Sequence, residues 1–161
     1  MDNANTFATQ LASSLNSANP VLSFERVFEG IPFEKVSIRP AGLPYSIWEL
    51  ASHLRIAQNT YLNTARDATF KAPIWPDQFW PQRNSPTEEE WNQCVKMIHE
   101  DSASLANLIL QKGTLIAQPL AHTNGLSIID IALKAARHNS YHAGEIVVLR
   151  RLLGIWQEAS R

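Results

Sequence analysis

Three capping boxes place the strongest constraint on the fold of this chain, because each one fixes where a long helix begins. In a capping box, a serine or threonine hydroxyl accepts a hydrogen bond from the backbone N–H three residues later, and an acidic side chain at that position accepts one from the N–H of the capping residue. The three pairs are Ser46 with Glu49, Thr87 with Glu90, and Ser127 with Asp130. We therefore predict three long helices, over 46–69, 87–112 and 127–153.

Glycine and proline mark the remaining boundaries. Gly113 and Gly154 follow two of the long helices, at the position where glycine commonly ends a helix. A weak helical repeat of apolar residues predicts a further helix over about 4–17. A short helix from Val21 to Glu29 is predicted after a proline that suits its first turn. Residues 31–45 contain further prolines and are predicted to form a loop.

The pattern as a whole predicts an all-α fold, since no segment of useful length shows the alternation of a strand. Four major helices in a chain of this size suggest a four-helix bundle. The loop over 71–86 could span about 50 Å when extended, whereas a helix of about 24 residues is about 36 Å long. The loop is therefore long enough to cross the bundle and let the helices on either side of it run parallel.

The same loop is rich in large aromatic side chains. Trp75, Phe79 and Trp80 stand there beside several prolines. Aromatic side chains bury a large apolar area, so we expect them to anchor the loop to the surface of the bundle. The alternative is that they line a pocket.

Two histidines, His138 and His142, lie four residues apart in the last predicted helix. That spacing places both imidazoles on one helix face, with Cβ atoms about 5–6 Å apart, and His53 lies on the core-facing stripe of the 46–69 helix. Three neutral imidazoles can bind one divalent ion and leave positions open for water or substrate. The alternative is that they are ordinary polar groups of the core. His99 and His122 are expected to be ordinary, partly exposed side chains.

Composition excludes several classes of function. The net charge is −1 with 18% charged residues, which gives no broad attraction to nucleic acid or to anionic membranes. The single cysteine, Cys94, cannot form an internal disulfide, fits a reducing compartment and is expected to be buried and structural. No signal peptide and no membrane-spanning run is recognisable. We predict one domain over 1–161 of a soluble, cytoplasmic protein.

Motifs of several other enzyme classes are absent from the sequence. It contains neither a glycine-rich phosphate-binding loop nor Gly-x-Ser-x-Gly. The His-Glu-x-x-His motif of zinc proteases is missing, as are the Glu-x-x-His pairs of di-iron bundles. The three histidines therefore remain the feature that points to chemistry.

Two segments resemble signatures of a known family. Residues 43–58, LPYSIWELASHLRIAQ, resemble the second helix of DinB/YfiT-like proteins, and residues 138–154, HNSYHAGEIVVLRRLLG, resemble their last helix. The likeness covers roughly residues 20–156. It implies a four-helix bundle in up-down-down-up order, with a long crossover loop.

The resemblance also implies a metal site formed by His53, His138 and His142. Zinc or nickel is typical of the family, and iron and manganese are further candidates. Characterised relatives include transferases that use a low-molecular-weight thiol such as bacillithiol or mycothiol, an isomerase and hydrolases, and members tend to form homodimers. The leading hypothesis is a metal-dependent enzyme that activates a thiol or water to act on a small-molecule substrate. A non-catalytic metal-binding or stress-response protein, and a dimer with purely structural histidines, are the alternatives.

Other residues near the histidines are weaker candidates. Glu145, where many relatives have glutamine, either orients a ligand histidine or forms an ordinary ion pair with Arg137 or Arg150. Arg150 is expected to pair with acids near the helix end, or to hold an anionic substrate. Three further residues, Gln58, Tyr61 and Tyr141, are expected either to line the site or to pack in the core.

Overall fold

The computed structural model describes residues 3–15 and 23–157, and these contain helices but no β-strand. Residues 16, 17, 21 and 22 of the predicted helices lie outside them. No helix within the described residues is both long and apolar enough to cross a bilayer. Short 3-10 helices occupy Phe33–Lys35, Asp77–Phe79 and Gly113–Ala117. The α-helices are α1 (Asn3–Leu15), α2 (Phe24–Phe28), α3 (Ile47–Arg66), α4 (Glu88–Lys112) and α5 (Ile128–Leu152).

All three predicted capping boxes form, and each opens its helix. The Ser46 hydroxyl accepts from the N–H of Glu49 at 3.3 Å, and the Glu49 carboxylate accepts from the N–H of Ser46 at 2.8 Å. These bonds satisfy N–H groups that have no partner inside the helix. The same reciprocal pair joins Thr87 with Glu90 and Ser127 with Asp130.

α3 ends at Arg66, earlier than the predicted end at residue 69. A carboxylate oxygen of Asp67 accepts from the backbone N–H of Thr69 at 2.8 Å and from its hydroxyl at 2.7 Å. Local side-chain bonds of this kind offer the backbone an alternative to continuing the helix. The predicted end of α4 is confirmed, because Gly113 follows it with a φ of +52°.

Two hydrogen bonds show that α3 and α4 run in the same direction. At the start of α3, the indole N–H of Trp48 donates to the carbonyl of Arg83, just before α4, at 2.8 Å. Further along both helices, Asn59 donates to Asp101 at 3.2 Å. The segment 67–87, which we call the crossover segment, therefore crosses the bundle from the end of α3 to the start of α4.

α5 lies beside α3 and runs in the opposite direction. Tyr45, just before α3, donates to Glu145 in the second half of α5. At the other end, the His122 Nε2–H, just before α5, donates to the carbonyl of Thr64 at 2.9 Å.

α1 completes the bundle by packing between α4 and α5. The end of α1 reaches the middle of α4, where the Ser102 hydroxyl donates to the carbonyl of Leu15 at 3.2 Å. The 3-10 helix that follows α4 also packs against α1, so α1 and α4 are antiparallel. The order is up-down-down-up, which confirms the predicted four-helix bundle.

The core consists of two apolar clusters separated by polar side chains. One cluster joins the starts of α3 and α4 to the end of α5, and the other joins α1 to the opposite ends of the same three helices. Between them along the chain, four side chains form what we call the polar layer: Gln58 of α3, and His138, Asn139 and His142 of α5. His53 lies on α3 at the edge of this layer.

Candidate metal centre

Three imidazoles meet where α3 faces α5. One nitrogen atom each of His53, His138 and His142 lies within 4.8 Å of the others, and the Nε2 atoms of His53 and His138 are 3.0 Å apart. Ligand nitrogens about 2.0–2.1 Å from a tetrahedral ion lie about 3.4 Å from each other. The rings would have to rotate to reach this spacing around one ion, and the group is compatible with metal binding.

Hydrogen bonds fix the tautomers of two rings. His53 Nδ1 lies 2.9 Å from the carbonyl oxygen of Phe79, and His142 Nδ1 lies 2.6 Å from a carboxylate oxygen of Glu145. Both oxygens only accept, so each Nδ1 carries the hydrogen and donates. In the neutral rings, both Nε2 atoms therefore keep a free lone pair. This is the form in which imidazole binds a metal.

The His138 ring has no such partner. Its Nδ1 is buried and meets no hydrogen-bond partner within the described part of the chain. If its hydrogen is on Nε2, it donates to His53; if on Nδ1, two lone pairs face each other at 3.0 Å, which is unfavourable unless a cation lies between them. Burial, followed by the nearby His142 and His53, lowers the pKa of His138 to about 3, so the ring is neutral near pH 7.

Glu145 makes hydrogen bonds that extend the site toward the start of α3, and its negative charge also raises the pKa of the exposed Tyr141. Besides the bond to His142, it accepts one from the hydroxyl of Tyr45 at 2.5 Å. That bond, aided by burial, raises the pKa of Tyr45 to about 12. Of the two predicted contacts of Glu145, the one to histidine is observed; among the described residues it has no ion pair with Arg137 or Arg150.

The crossover segment forms one wall around His53. The ring of Trp80 stacks on the imidazole, with centroids 4.4 Å apart and planes inclined by 14°. The rings of Trp75 and Phe79 each lie 6.3 Å away, although Trp75 is largely exposed. Trp80 packs against the bundle core, so the expected anchor is confirmed for this residue, and its indole also lies against the histidine group.

The three residues that were weaker candidates for lining the site differ in how far they are buried. Gln58 is 1% exposed, and neither of its amide atoms has a hydrogen-bond partner among the described residues. Tyr141 is 64% exposed, and its ring meets that of His142 at 4.9 Å. Tyr61 is half-buried, 5.9 Å from the His138 ring. Roles for these three in binding or catalysis stay predictions.

Several singled-out residues lie away from the histidine group. Cys94 is buried and unpaired, as expected, His99 is half-buried and His122 exposed. The expected pairing of Arg150 with acids is wrong, because its guanidinium is buried at the end of α2. It donates there to backbone carbonyls, including those of Arg26, Val27 and Glu29.

Sequence reasoning missed Tyr45 and the carbonyl of Phe79. Tyr45 lies about two turns before His53, as Glu145 lies about two turns after His138, so an antiparallel register of α3 and α5 would have suggested the contact. The Phe79 carbonyl is a backbone group on a loop, and no residue type in the sequence predicts that it lies beside His53.

Comparison with known proteins agrees with this geometry. The family model of the DinB superfamily matches residues 23–146, which is more than half of the chain. This chain belongs to the DinB superfamily. No curated protein and no solved structure matches it. The part that matches the DinB superfamily includes all three histidines and the whole crossover segment.

Proposed function

We propose that this DinB-superfamily protein binds one divalent metal ion through His53, His138 and His142 and uses it to act on a small molecule. The observation that carries the proposal is the arrangement of hydrogens around the rings. The Nδ1–H of His53 is committed to a carbonyl and that of His142 to a carboxylate. For the Nε2 lone pair of His53, the described residues offer no donor except another imidazole.

The donor set suits a catalytic ion. Three neutral imidazoles leave the charge of the ion undiminished and leave coordination positions open. When bound, such an ion lowers the pKa of a coordinated thiol or water and so supplies a nucleophile near neutral pH. Imidazole suits zinc and nickel, with iron and manganese as further candidates. We propose transfer of a low-molecular-weight thiol, or hydrolysis, as the reaction.

Residues of the chain itself hold the site in place. Glu145 orients His142, and Tyr45 orients Glu145. The stacked indole of Trp80 restricts rotation of His53 and excludes water from one of its faces. Tyr141, exposed beside His142, is the side chain best placed to contact a substrate.

One observation favours the non-catalytic alternative, a protein that binds metal for stability or sensing. His53 is only 2% exposed and His142 only 8%, and deep burial of ligands restricts the approach of a substrate. The two functions share a metal site and differ in turnover, so one experiment tests the site and a second tests catalysis.

Metal content tests the site. Protein purified without an affinity tag and dialysed against zinc or nickel should retain about one ion per chain. The H142A variant should lose it, whereas the matched variant H122A, which alters an exposed histidine, should keep it. Metal retained by H142A, or no metal in the wild type, would contradict this ligand set.

A thiol screen tests catalysis. Bacillithiol, mycothiol and glutathione are each offered with monochlorobimane, an electrophile that fluoresces after thiol transfer. Turnover that requires both the thiol and the metal would support the enzyme. Stoichiometric metal without turnover, for these thiols or for a panel of ester and amide substrates, would favour the non-catalytic protein.

A further inference from the structure

A cavity of about 570 Å³ lies between α3, the first half of α4 and the crossover segment. We call it the α3–α4 cavity. None of the three histidines lines it. Pockets that hold small molecules commonly measure about 300–1,000 Å³, so its size suits a small organic ligand. Its apolar walls include Trp48, Ile56 and Met97.

The floor of the α3–α4 cavity carries polar hydrogens. The Ser52 side chain lines it and is 2% exposed, with its hydroxyl turned toward the Cys94 thiol. Beside it lies the Cys94 thiol, whose pKa burial raises to about 11, so the thiol keeps its hydrogen near neutral pH.

Arg55 brings a positive charge to the same cavity. Its guanidinium lies against the Cys94 thiol, and it forms no ion pair with the described acids. The nearby cation Arg83 is already paired with Glu90. The remaining acid of the lining, Glu89, is exposed at the rim. Arg55 is therefore a cation of the cavity lining that is paired with no described acid.

We propose that the α3–α4 cavity binds a small organic carboxylate with a planar apolar body. A guanidinium matches a carboxylate with two parallel hydrogen bonds, so the carboxylate lies on Arg55. The apolar body lies along Trp48 and Met97. This site is separate from the histidine group and does not depend on the proposed metal.

A neighbouring cavity adjoins the α3–α4 cavity and leaves space for a ligand longer than one ring system. A space of about 440 Å³ shares Arg55, Ile56, Pro81 and Gln82 with the α3–α4 cavity. It is also lined by Trp80, the indole that stacks on His53. The two spaces together form a groove along α3, under the crossover segment.

Isothermal titration calorimetry on the full-length, metal-stripped protein tests the proposal, with 2-naphthoate as the probe and its neutral amide, 2-naphthamide, as the matched ligand. We expect 2-naphthoate to bind with a Kd below about 1 mM and the amide to bind at least about tenfold more weakly. Equal affinity for the two ligands, or no binding of 2-naphthoate at millimolar concentration, would overturn the proposal.

Variants locate the site. R55Q should weaken 2-naphthoate about tenfold, while R66Q, which removes an exposed arginine from the same helix, should change nothing. M97W, which fills the cavity from its wall, should remove binding of both ligands. The H142A variant should bind 2-naphthoate as the wild type does. Loss of binding in H142A, or unchanged binding in both R55Q and M97W, would place the ligand elsewhere and refute the proposal.

Discussion

At the scale of single residues, Glu145 links the histidines to the rest of the bundle, since it contacts both His142 and Tyr45. Outer partners of this kind typically contribute 10–100-fold to metal affinity. We expect E145A to weaken zinc binding by about that factor, and Y45F to weaken it less, because Glu145 keeps its bond to the histidine. Competition with a chromophoric chelator measures both affinities.

The matched control for Glu145 is Glu100, an exposed acid paired with Lys96 on α4. E100A removes the same carboxylate far from the histidines and should leave zinc affinity unchanged. Equal affinities for E145A and E100A would show that Glu145 does not support the site.

Burial of His138 makes the metal-free protein sensitive to acid. Its pKa is about 3 in the folded protein against 6.5 for the free side chain, so below pH 6.5 the unfolded chain takes up a proton that the folded one does not. The free energy of unfolding should therefore fall as the pH drops from 7 to 5, by at most about 1.4 kcal/mol per pH unit for this residue. Urea denaturation in the presence of EDTA measures it.

The variant H138L isolates this effect, because leucine takes up no proton. Its stability should fall less steeply between pH 7 and 5 than that of the wild type. If the free energy of unfolding fell with pH equally in H138L and in the wild type, His138 would be protonated in the folded protein as readily as in the unfolded one.

The positions of the metal candidates could be predicted from sequence, whereas their hydrogen-bond partners could not. A spacing of four residues fixes His138 and His142 on one face whatever surrounds them. The partners come from far along the chain: Tyr45 is 100 residues from Glu145, and Phe79 contributes only a backbone carbonyl.

At the scale of helices, the capping boxes contribute stability that one substitution can measure. The Ser127 hydroxyl accepts from the N–H of Asp130 at 3.2 Å, at the start of α5. Replacing a capping serine by alanine typically costs about 1 kcal/mol, so we expect S127A to lower the free energy of unfolding by about that amount. Urea denaturation at pH 7 provides the value.

Ser140 offers the comparison within the same helix. It is exposed in the middle of α5, where its hydroxyl donates to the carbonyl of Ala136 at 2.9 Å. S140A should have almost no effect, since alanine favours the helix interior. If S140A lowered the free energy of unfolding as much as S127A does, the result would argue against the capping role of Ser127.

Helix starts were predictable because capping is local: the hydroxyl and the acid lie within four residues. Helix ends were less predictable. In α3, the hydrogen bonds of Asp67 compete with continuation of the helix, and the sequence does not show which of the two is more stable. The short α2 depends on a distant residue, since the Arg150 side chain binds its final carbonyls.

For the whole molecule, we propose that two copies associate through the outer face of α5. Leu133, Tyr141, Val148 and Leu152 are each 45–64% exposed, and stripes of this kind often mark interfaces. We expect the wild type to have twice the chain mass of 18.1 kDa, and V148E to shift it toward the monomer. Sedimentation equilibrium measures both masses.

The control for the dimer is L110E, which places the same charge on an equally apolar, exposed position of α4. It should leave the mass unchanged. A monomeric wild type would refute the dimer, and dissociation by L110E but not by V148E would move the interface to another face.

The length of one loop permitted parallel helices but did not fix their direction, and the up-down-down-up order was implied only by the resemblance to the DinB family. A segment long enough to cross the bundle permits parallel neighbours, and α3 and α4 are parallel. The separation of the core into two apolar clusters was not anticipated, because it depends on which side chains of different helices share a level.

The pairing of His53 with His138 joins two points that are 85 residues apart in sequence. An ion held between them would act as a reversible cross-link, which restricts the unfolded chain in the way a disulfide does and favours the native state by reducing loop entropy. Supply of the ion would then govern how much folded protein persists.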